Sequence, residues 1–180
     1  VLDNIWFGFG RPATGPISSN FRANDLYTAD VKNYNLPNGV DLANKLLDEA
    51  GKKRGADGVR FEIVHDVTPY GEEWRRFGEY TQQQLAKIGI KATLRVEDVP
   101  GWLRRVYTNY DFQLTSNWIQ TLADPSIGVH RLYHSGSIKP GTVFVNDSRW
   151  STKETDELMD KANVELDPKN LMFRQNYDLF

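Results

Sequence analysis

The chain has no cysteine and only three histidines in 180 residues. Without cysteine it has no disulfide, no thiolate nucleophile and no cysteine-ligated zinc or iron–sulfur site. No apolar run approaches the ~20 residues that span a bilayer as a helix. The glycines of residues 5–20 lack phosphate-loop spacing, and no Gly-x-Ser-x-Gly elbow occurs. These absences argue against thiol chemistry, phosphate-loop binding and serine-hydrolase catalysis.

Charge of neither sign dominates, since 22 basic and 24 acidic residues give a net charge of −2. The charges are spread along the chain, with no basic block of the kind that binds nucleic acid, so no nucleic-acid partner is expected. A hydrophobic content of 39% is typical of a globular protein. A chain of this length can bury roughly 70% of its unfolded surface. It therefore fits one domain, or one lobe of a larger protein.

Three segments alternate apolar and polar residues with the period of a strand: residues 59–66, 90–96 and 111–118. Between them, residues 72–88 have apolar residues at helical spacing, and Asp98 begins a second helix. A further helix is predicted over residues 41–50, ending at a glycine. Strands that alternate with helices through short links predict an α/β fold with a mixed, largely parallel sheet flanked by helices.

Parallel strands end at one edge of a sheet, and ligands of open α/β sheets usually bind outside that edge. The first strand ends near Asp66, and the third ends at Asn117 and Trp118. Trp118 is either a buried core aromatic or the flat wall of a pocket, and its position alone does not decide between them. Asp124-Pro125 then predicts a helix start, with Asp as the N-cap and Pro in the first turn.

The remaining patterns predict structure rather than chemistry. The arginine pairs are expected on solvated helix faces, and the C-terminal third is expected to form a loop and two helices. The individual predictions are solvated Arg75-Arg76 and Arg104-Arg105, a possible short strand at 142–145, a capping box at 151–154, and a last helix from Asp167-Pro168.

His130 and His134 are the strongest candidates for a metal site. They stand four residues apart on a predicted helix, but no glutamate occupies the HExxH position. Surface or packed histidines are the simpler interpretation. The alternative is a metal-binding protein or a metal-dependent enzyme that uses His130 and His134. No nucleophile or oxyanion motif accompanies the carboxylates, so no catalytic residue, metal or cofactor is expected.

Several short signals follow one another in a recognisable order: Leu46-Leu-Asp-Glu-Ala-Gly51, Gln84-Leu-Ala-Lys-Ile-Gly-Ile90, Trp102, Tyr110-Asp-Phe112, Trp118, Asp124-Pro125, Phe144-Val-Asn146 and Asp156-Glu-Leu158. Over essentially the whole chain, this order resembles the family 5 extracellular solute-binding proteins of ABC importers, of the dipeptide/oligopeptide-binding type. The resemblance is to their carboxyl-terminal lobe. It implies that residues 1–40 form an irregular segment near the interlobe crossing and that residues 41–180 form the α/β lobe. The chain begins with Val1 and ends without a helix cap, so we expect an excerpt that lacks the amino-terminal lobe.

The resemblance implies one lobe of a two-lobed, type II-like periplasmic binding protein without enzymatic activity. Such a protein closes on a small-molecule or peptide-like ligand and delivers it to ABC permease membrane subunits. It implies periplasmic residence, or a cell-surface lipoprotein.

In peptide-binding members of the family, the resemblance implies that an Asp three residues after the Trp that ends this strand pairs with the ligand's free amino group. Here Trp118 is followed at that spacing by Thr121, which cannot neutralise an ammonium group. This difference argues against a free-amine peptide. The candidate ligand-binding residues are Trp118, Asn117 and Thr121, followed by Asp66 and Tyr70.

Overall fold

A computed structural model describes residues 1–13, 15–20, 27, 31–32, 34, 36–122 and 125–164. Helices precede, separate and follow three short strands. In chain order the elements are α1 (Leu2–Ile5), α2 (Gly39–Glu49), β1 (Phe61–Asp66), α3 (Glu72–Lys87), β2 (Ile90–Arg95), α4 (Val99–Leu103), a π-helical turn (Arg104–Asn109), β3 (Leu114–Thr115), α5 (Pro125–Tyr133), a 3-10 turn (Ser135–Ser137) and α6 (Lys153–Val164).

The chain forms two compact units. Unit 1 comprises Val1–Arg11, Tyr34–Val106 and Asp111–Asn117, and unit 2 comprises Pro12–Asn33, Tyr107–Tyr110 and Trp118–Phe180. Unit 1 therefore holds the sheet and the helices α1 to α4. Unit 2 holds α5 and α6, which pack around Ile17, Val129 and Met159.

Unit 1 is built on a three-stranded sheet with the order β2-β1-β3, in which both pairings are parallel. β1 pairs with β2 in full register, from Phe61 opposite Ile90 to Asp66 opposite Arg95. The predicted strands are confirmed here, and so is their common direction. The carboxyl ends of all three strands therefore lie at one edge, which we call the carboxyl edge. It is formed by Asp66, Arg95 and Thr115.

β3 is much shorter than the alternating run predicted, because only Leu114–Thr115 forms a ladder with β1. On either side of this ladder, backbone groups form hydrogen bonds with side chains and not with the neighbouring strand's backbone. The Val64 N–H donates to Gln113 Oε1 at 2.8 Å, and Thr68 Oγ1 donates to the Ser116 carbonyl. Alternation predicts which side chains share a face, but it does not predict which backbone groups pair.

α3 matches the predicted helix and packs closely on the sheet through Gly78, its one buried residue. A Cβ at Gly78 would lie 2.8 Å from Cγ2 of Val67, itself 1% exposed. Glycine therefore permits the close approach of α3 to the sheet. α4 also begins as predicted, since the Asp98 side chain accepts a bond from the Gly101 N–H at 2.9 Å. The π-helical turn that follows α4 has no signal in the sequence.

Two predictions for unit 2 are wrong. The possible strand at 142–145 does not form, because Phe144 has a left-handed φ of 57°, which breaks an extended ladder. α6 is capped by Thr152 and not by Ser151: Thr152 Oγ1 accepts from the Thr155 N–H at 3.1 Å. The capping pattern was therefore displaced by one residue.

Two further helix predictions have different outcomes. α5 begins at Pro125, as the Asp-Pro pair predicted, although Asp124 itself lies outside the described residues. The last predicted helix, from Asp167-Pro168, also lies outside them. None of the described helices is long and apolar enough to cross a membrane.

Candidate functional site

Asp66, the last residue of β1, carries a buried carboxylate at the carboxyl edge. Its side chain is 1% exposed and accepts two bonds from Arg95, at 2.5 Å from Nε and 2.8 Å from Nη2. The two residues are direct partners in the β1–β2 register, so the sheet itself sets this bidentate geometry. The candidate ligand residue Asp66 is thus already paired within unit 1, and a ligand contact would require it to exchange Arg95.

Arg105, in the π-helical turn, extends this pair into a network. Its guanidinium donates to Glu97 at 2.7 and 2.8 Å, contacts Asp111, and lies 3.7 Å from Asp66 Oδ1. The hydrogen bond from Arg105 holds the pKa of Glu97 below its usual value. The prediction that Arg104-Arg105 is solvated is therefore wrong for Arg105, whose side chain is 24% exposed. The same prediction is confirmed for Arg75 and Arg76, which pair with Glu72 at the surface.

His65 is buried beside this network, and its Nε2 lies 3.1 Å from Ser116 Oγ. Its Nδ1 is also buried and has no hydrogen-bond partner among the residues that the structure describes. Protonation would therefore place a second N–H where nothing described accepts it. Burial lowers the pKa of His65, and the neighbouring charge of Asp66 offsets part of that shift.

We expect His65 to make the fold less stable as the pH falls below about 6.5, the usual pKa of an unfolded histidine. An unfolded histidine takes up a proton near pH 6.5, whereas the folded ring resists it, so the unfolded state binds more protons in this window. The contribution of His65 is fully present above about pH 6.5 and is lost below it. Urea midpoints measured across this range should fall, and they should fall less in His65→Gln. An unchanged slope in His65→Gln would contradict the assignment.

Tyr70 and Asn117 are the other candidates in unit 1. Tyr70 is 36% exposed, and its ring meets the buried Trp102 edge to face at 5.9 Å. The Trp102 indole N–H donates to Thr115 Oγ1 at 3.2 Å, which ties this aromatic pair to the end of β3. Asn117 is half-buried directly after the strand. Tyr70 is therefore partly exposed and packs on Trp102, which is itself bonded to the end of β3.

Trp118 begins the second group of candidates, in unit 2. It is 45% exposed, so it is not a buried core aromatic. Its ring packs at 6.1 Å from the ring of Phe144. A pocket of about 110 Å³ is lined by Trp118, Ile119, Gln120, Arg131 and Phe144. Of the two interpretations that the sequence left open, the structure supports the pocket wall.

Thr121 follows this pocket in sequence and is half-buried. Its Oγ1 lies 3.5 Å from the Pro16 carbonyl oxygen, at the long limit of a hydrogen bond. The sequence analysis missed two lining residues, Arg131 and Phe144. Arg131 belongs to no motif and was one cation on a predicted helix. Phe144 was noted only as part of the Phe144-Val-Asn146 signal, in a segment expected to contain a short strand. The assignment of ligand-binding residues stays a prediction.

His130, His134 and Asp160 form a cluster in unit 2, in which one potential ligand atom from each residue lies within 4.8 Å of the others. The two rings stack at 4.2 Å, and each Nε2 faces Asp160 Oδ1, at 3.6 and 3.4 Å respectively. However, the Gly136 N–H donates to His134 Nδ1 at 2.9 Å. In a neutral ring this bond puts the proton on Nε2, the atom that a metal would need to be unprotonated. The hydrogen bonding of His134 therefore opposes metal binding at this cluster.

The comparison with known families bears directly on these sites. Residues 1–140 match the family described as bacterial extracellular solute-binding proteins, family 5 Middle. The chain belongs to this family. The resemblance drawn from its motifs is confirmed, and the family's function favours solute binding over the metal-dependent alternative. Proteins of this family are extracellular.

Individual relatives agree with this assignment. Protein XP55 of Streptomyces lividans is 27% identical over 175 residues, which are 94% of this chain and 30% of that protein. The dipeptide-binding protein of Escherichia coli K12 is 25% identical over 138 residues, 77% of this chain and 25% of that protein. The chain thus spans under a third of these relatives' lengths.

Among solved structures, HbpA2 from Haemophilus parasuis superposes with a TM-score of 0.78 at 26% identity, over 97% of this chain and 34% of that chain. The predicted fold class is confirmed: a mixed α/β lobe with a parallel sheet, of the kind found in two-lobed periplasmic binding proteins.

Proposed function

We propose that this chain is the carboxyl-terminal lobe of the substrate-binding component of an ABC importer. The component captures a small solute, peptide-like or of another class, in an interlobe cleft and delivers it to a membrane permease. It has no catalytic role, and it works in the periplasm or at the cell surface. The family match over residues 1–140 carries this proposal.

The residues proposed to contact the solute are, first, Trp118, Asn117 and Thr121. Tyr70 and Asp66 are weaker candidates. Trp118 is the strongest, because it exposes 45% of its surface and lines a pocket with Phe144. An exposed aromatic wall with a few polar neighbours is typical of a small-molecule site. Asp66 is paired with Arg95, so we assign it the weaker role of fixing the carboxyl edge.

Isothermal titration calorimetry on two proteins tests this proposal. The solute carried by the full-length protein is first identified by native mass spectrometry, and the full-length protein and this chain alone are then titrated with it. We expect the full-length protein to bind at about micromolar affinity or tighter, and this chain alone to bind at least about a hundredfold more weakly. Half of a cleft cannot enclose a ligand or exclude water.

The same titration tests whether Trp118 contacts the solute. Trp118→Ala in the full-length protein should lose about fivefold or more in affinity, since truncating an aromatic side chain buried by the ligand costs about 1 kcal/mol or more. Trp150→Ala is the matched control, because Trp150 lies in the same unit and is also 45% exposed. Equal affinities of the full-length protein and the chain alone would refute the interlobe cleft. Equal losses in the two tryptophan variants would refute the role of Trp118.

A further inference from the structure

Arg131, on α5, has an incomplete set of partners in the Trp118 pocket. Its Nη2 donates to the Gln120 carbonyl at 3.0 Å. Its Nε is buried and has no hydrogen-bond partner among the described residues. A guanidinium never loses its proton in a protein, so this buried N–H stays a charged donor.

A buried charged donor without an acceptor is costly. Two other partly buried arginines of this chain, Arg95 and Arg105, have carboxylate partners. Arg95 places both Nε and Nη2 on the Asp66 carboxylate, and Arg105 places the same two atoms on Glu97. Within the part of the chain that the structure describes, no carboxylate forms an ion pair with Arg131. In Arg131, Nη2 of the same fork donates to the Gln120 carbonyl, and Nε has no acceptor among the described residues.

The pocket supplies no competing negative charge. Its other lining residues are the apolar Trp118, Ile119 and Phe144 and the neutral Gln120. Apolar walls lower the local polarity and strengthen the attraction of a guanidinium for an anion. At about 110 Å³, the pocket matches one small chemical group better than a whole ligand.

We propose that this pocket binds an anionic group of the solute, most simply a carboxylate, and that the Arg131 guanidinium is its partner. The planar fork of Nε and Nη matches the two oxygens of a carboxylate. The inference rests on the proposed function, because it names the chemical class of the captured solute. It makes that solute an acid, held through its negative end beside the Trp118 ring.

Acetate and acetamide are matched in size and differ in charge, so they test this site directly. In the full-length protein labelled with 15N-arginine, the Arg131 Nε–H signal is the one that Arg131→Gln removes. Acetate should shift this signal saturably, and acetamide should bind about tenfold more weakly or worse, since a charge-assisted bond is worth about 1.5 kcal/mol or more. Lys139→Gln, which removes an exposed cation of the same unit, should leave the acetate response unchanged.

Equal responses to acetate and acetamide, or no response to either, would overturn the anion site. The solute titration distinguishes this failure from failure of the proposed function. If the full-length protein binds its solute but acetate leaves Arg131 unchanged, only the anion site is lost. If acetate binds selectively and no solute is captured, the anion site stands and the transport role falls.

Discussion

Replacing Gly128 with alanine should lower the free energy of unfolding by about 3 kcal/mol and weaken solute binding. Gly128 is buried in α5, and a Cβ built there would overlap the carbonyl group of Thr121. The obstacle is backbone, so no change of rotamer relieves it, and α5 must move away from residues 118–121. That displacement would also change the pocket beside Trp118. Urea unfolding followed by circular dichroism measures the stability, and calorimetry measures the binding.

Gly39→Ala is the matched control for this substitution. Gly39 is the first residue of α2, and a Cβ there would meet nothing within 4 Å. Alanine is the better helix former, so this variant should be neutral or slightly more stable. If Gly128→Ala is as stable as Gly39→Ala, the close contact between α5 and the Thr121 backbone is not a constraint on the fold.

The contact at Gly128 illustrates what the sequence could not provide. Periodicity predicted α3, β1 and β2 well, because burial on one face imposes the apolar spacing of an amphipathic element. It did not distinguish the glycines that permit close packing, Gly78 and Gly128, from a glycine in open space such as Gly39. That distinction depends on which distant residues arrive opposite them.

The candidate site also has features that the sequence predicted and features that it did not. The alternation of strands and helices predicted that the carboxyl ends of the strands would share an edge, and Trp118 was singled out by its place at the end of the third predicted strand. Arg131 was missed, because its proposed role rests on a buried Nε–H that has no acceptor among the described residues, and a missing acceptor leaves no pattern in a sequence. Arg105 was misread for the opposite reason: its three acidic partners come from separate segments that only the fold brings together.

Asp66→Asn should lower the free energy of unfolding by about 3 kcal/mol, the other large effect that we expect. The substitution keeps the shape of the side chain and removes its charge. Arg95 and Arg105 would then face each other at the carboxyl edge without the carboxylate that separates them. Breaking a buried ion pair costs about 3–5 kcal/mol, and the partial exposure of Arg95 places this case at the lower end. Urea unfolding measures the loss.

The same two strands contain a matched control for this pair. Glu62 and Lys91 are also direct partners in the β1–β2 register and form an ion pair of 2.8 Å, but their side chains are 62% and 57% exposed. Water already solvates both charges, so Glu62→Gln should leave the urea midpoint almost unchanged. The two variants remove the same charge from the same strand, but Asp66 is buried between two arginines and Glu62 is an exposed partner of one lysine. A large loss of unfolding free energy for Asp66→Asn, with none for Glu62→Gln, would show that the buried ion pair stabilises the fold and the exposed one does not. Equal effects of the two variants would mean that the carboxyl edge does not depend on the Asp66–Arg95 pair.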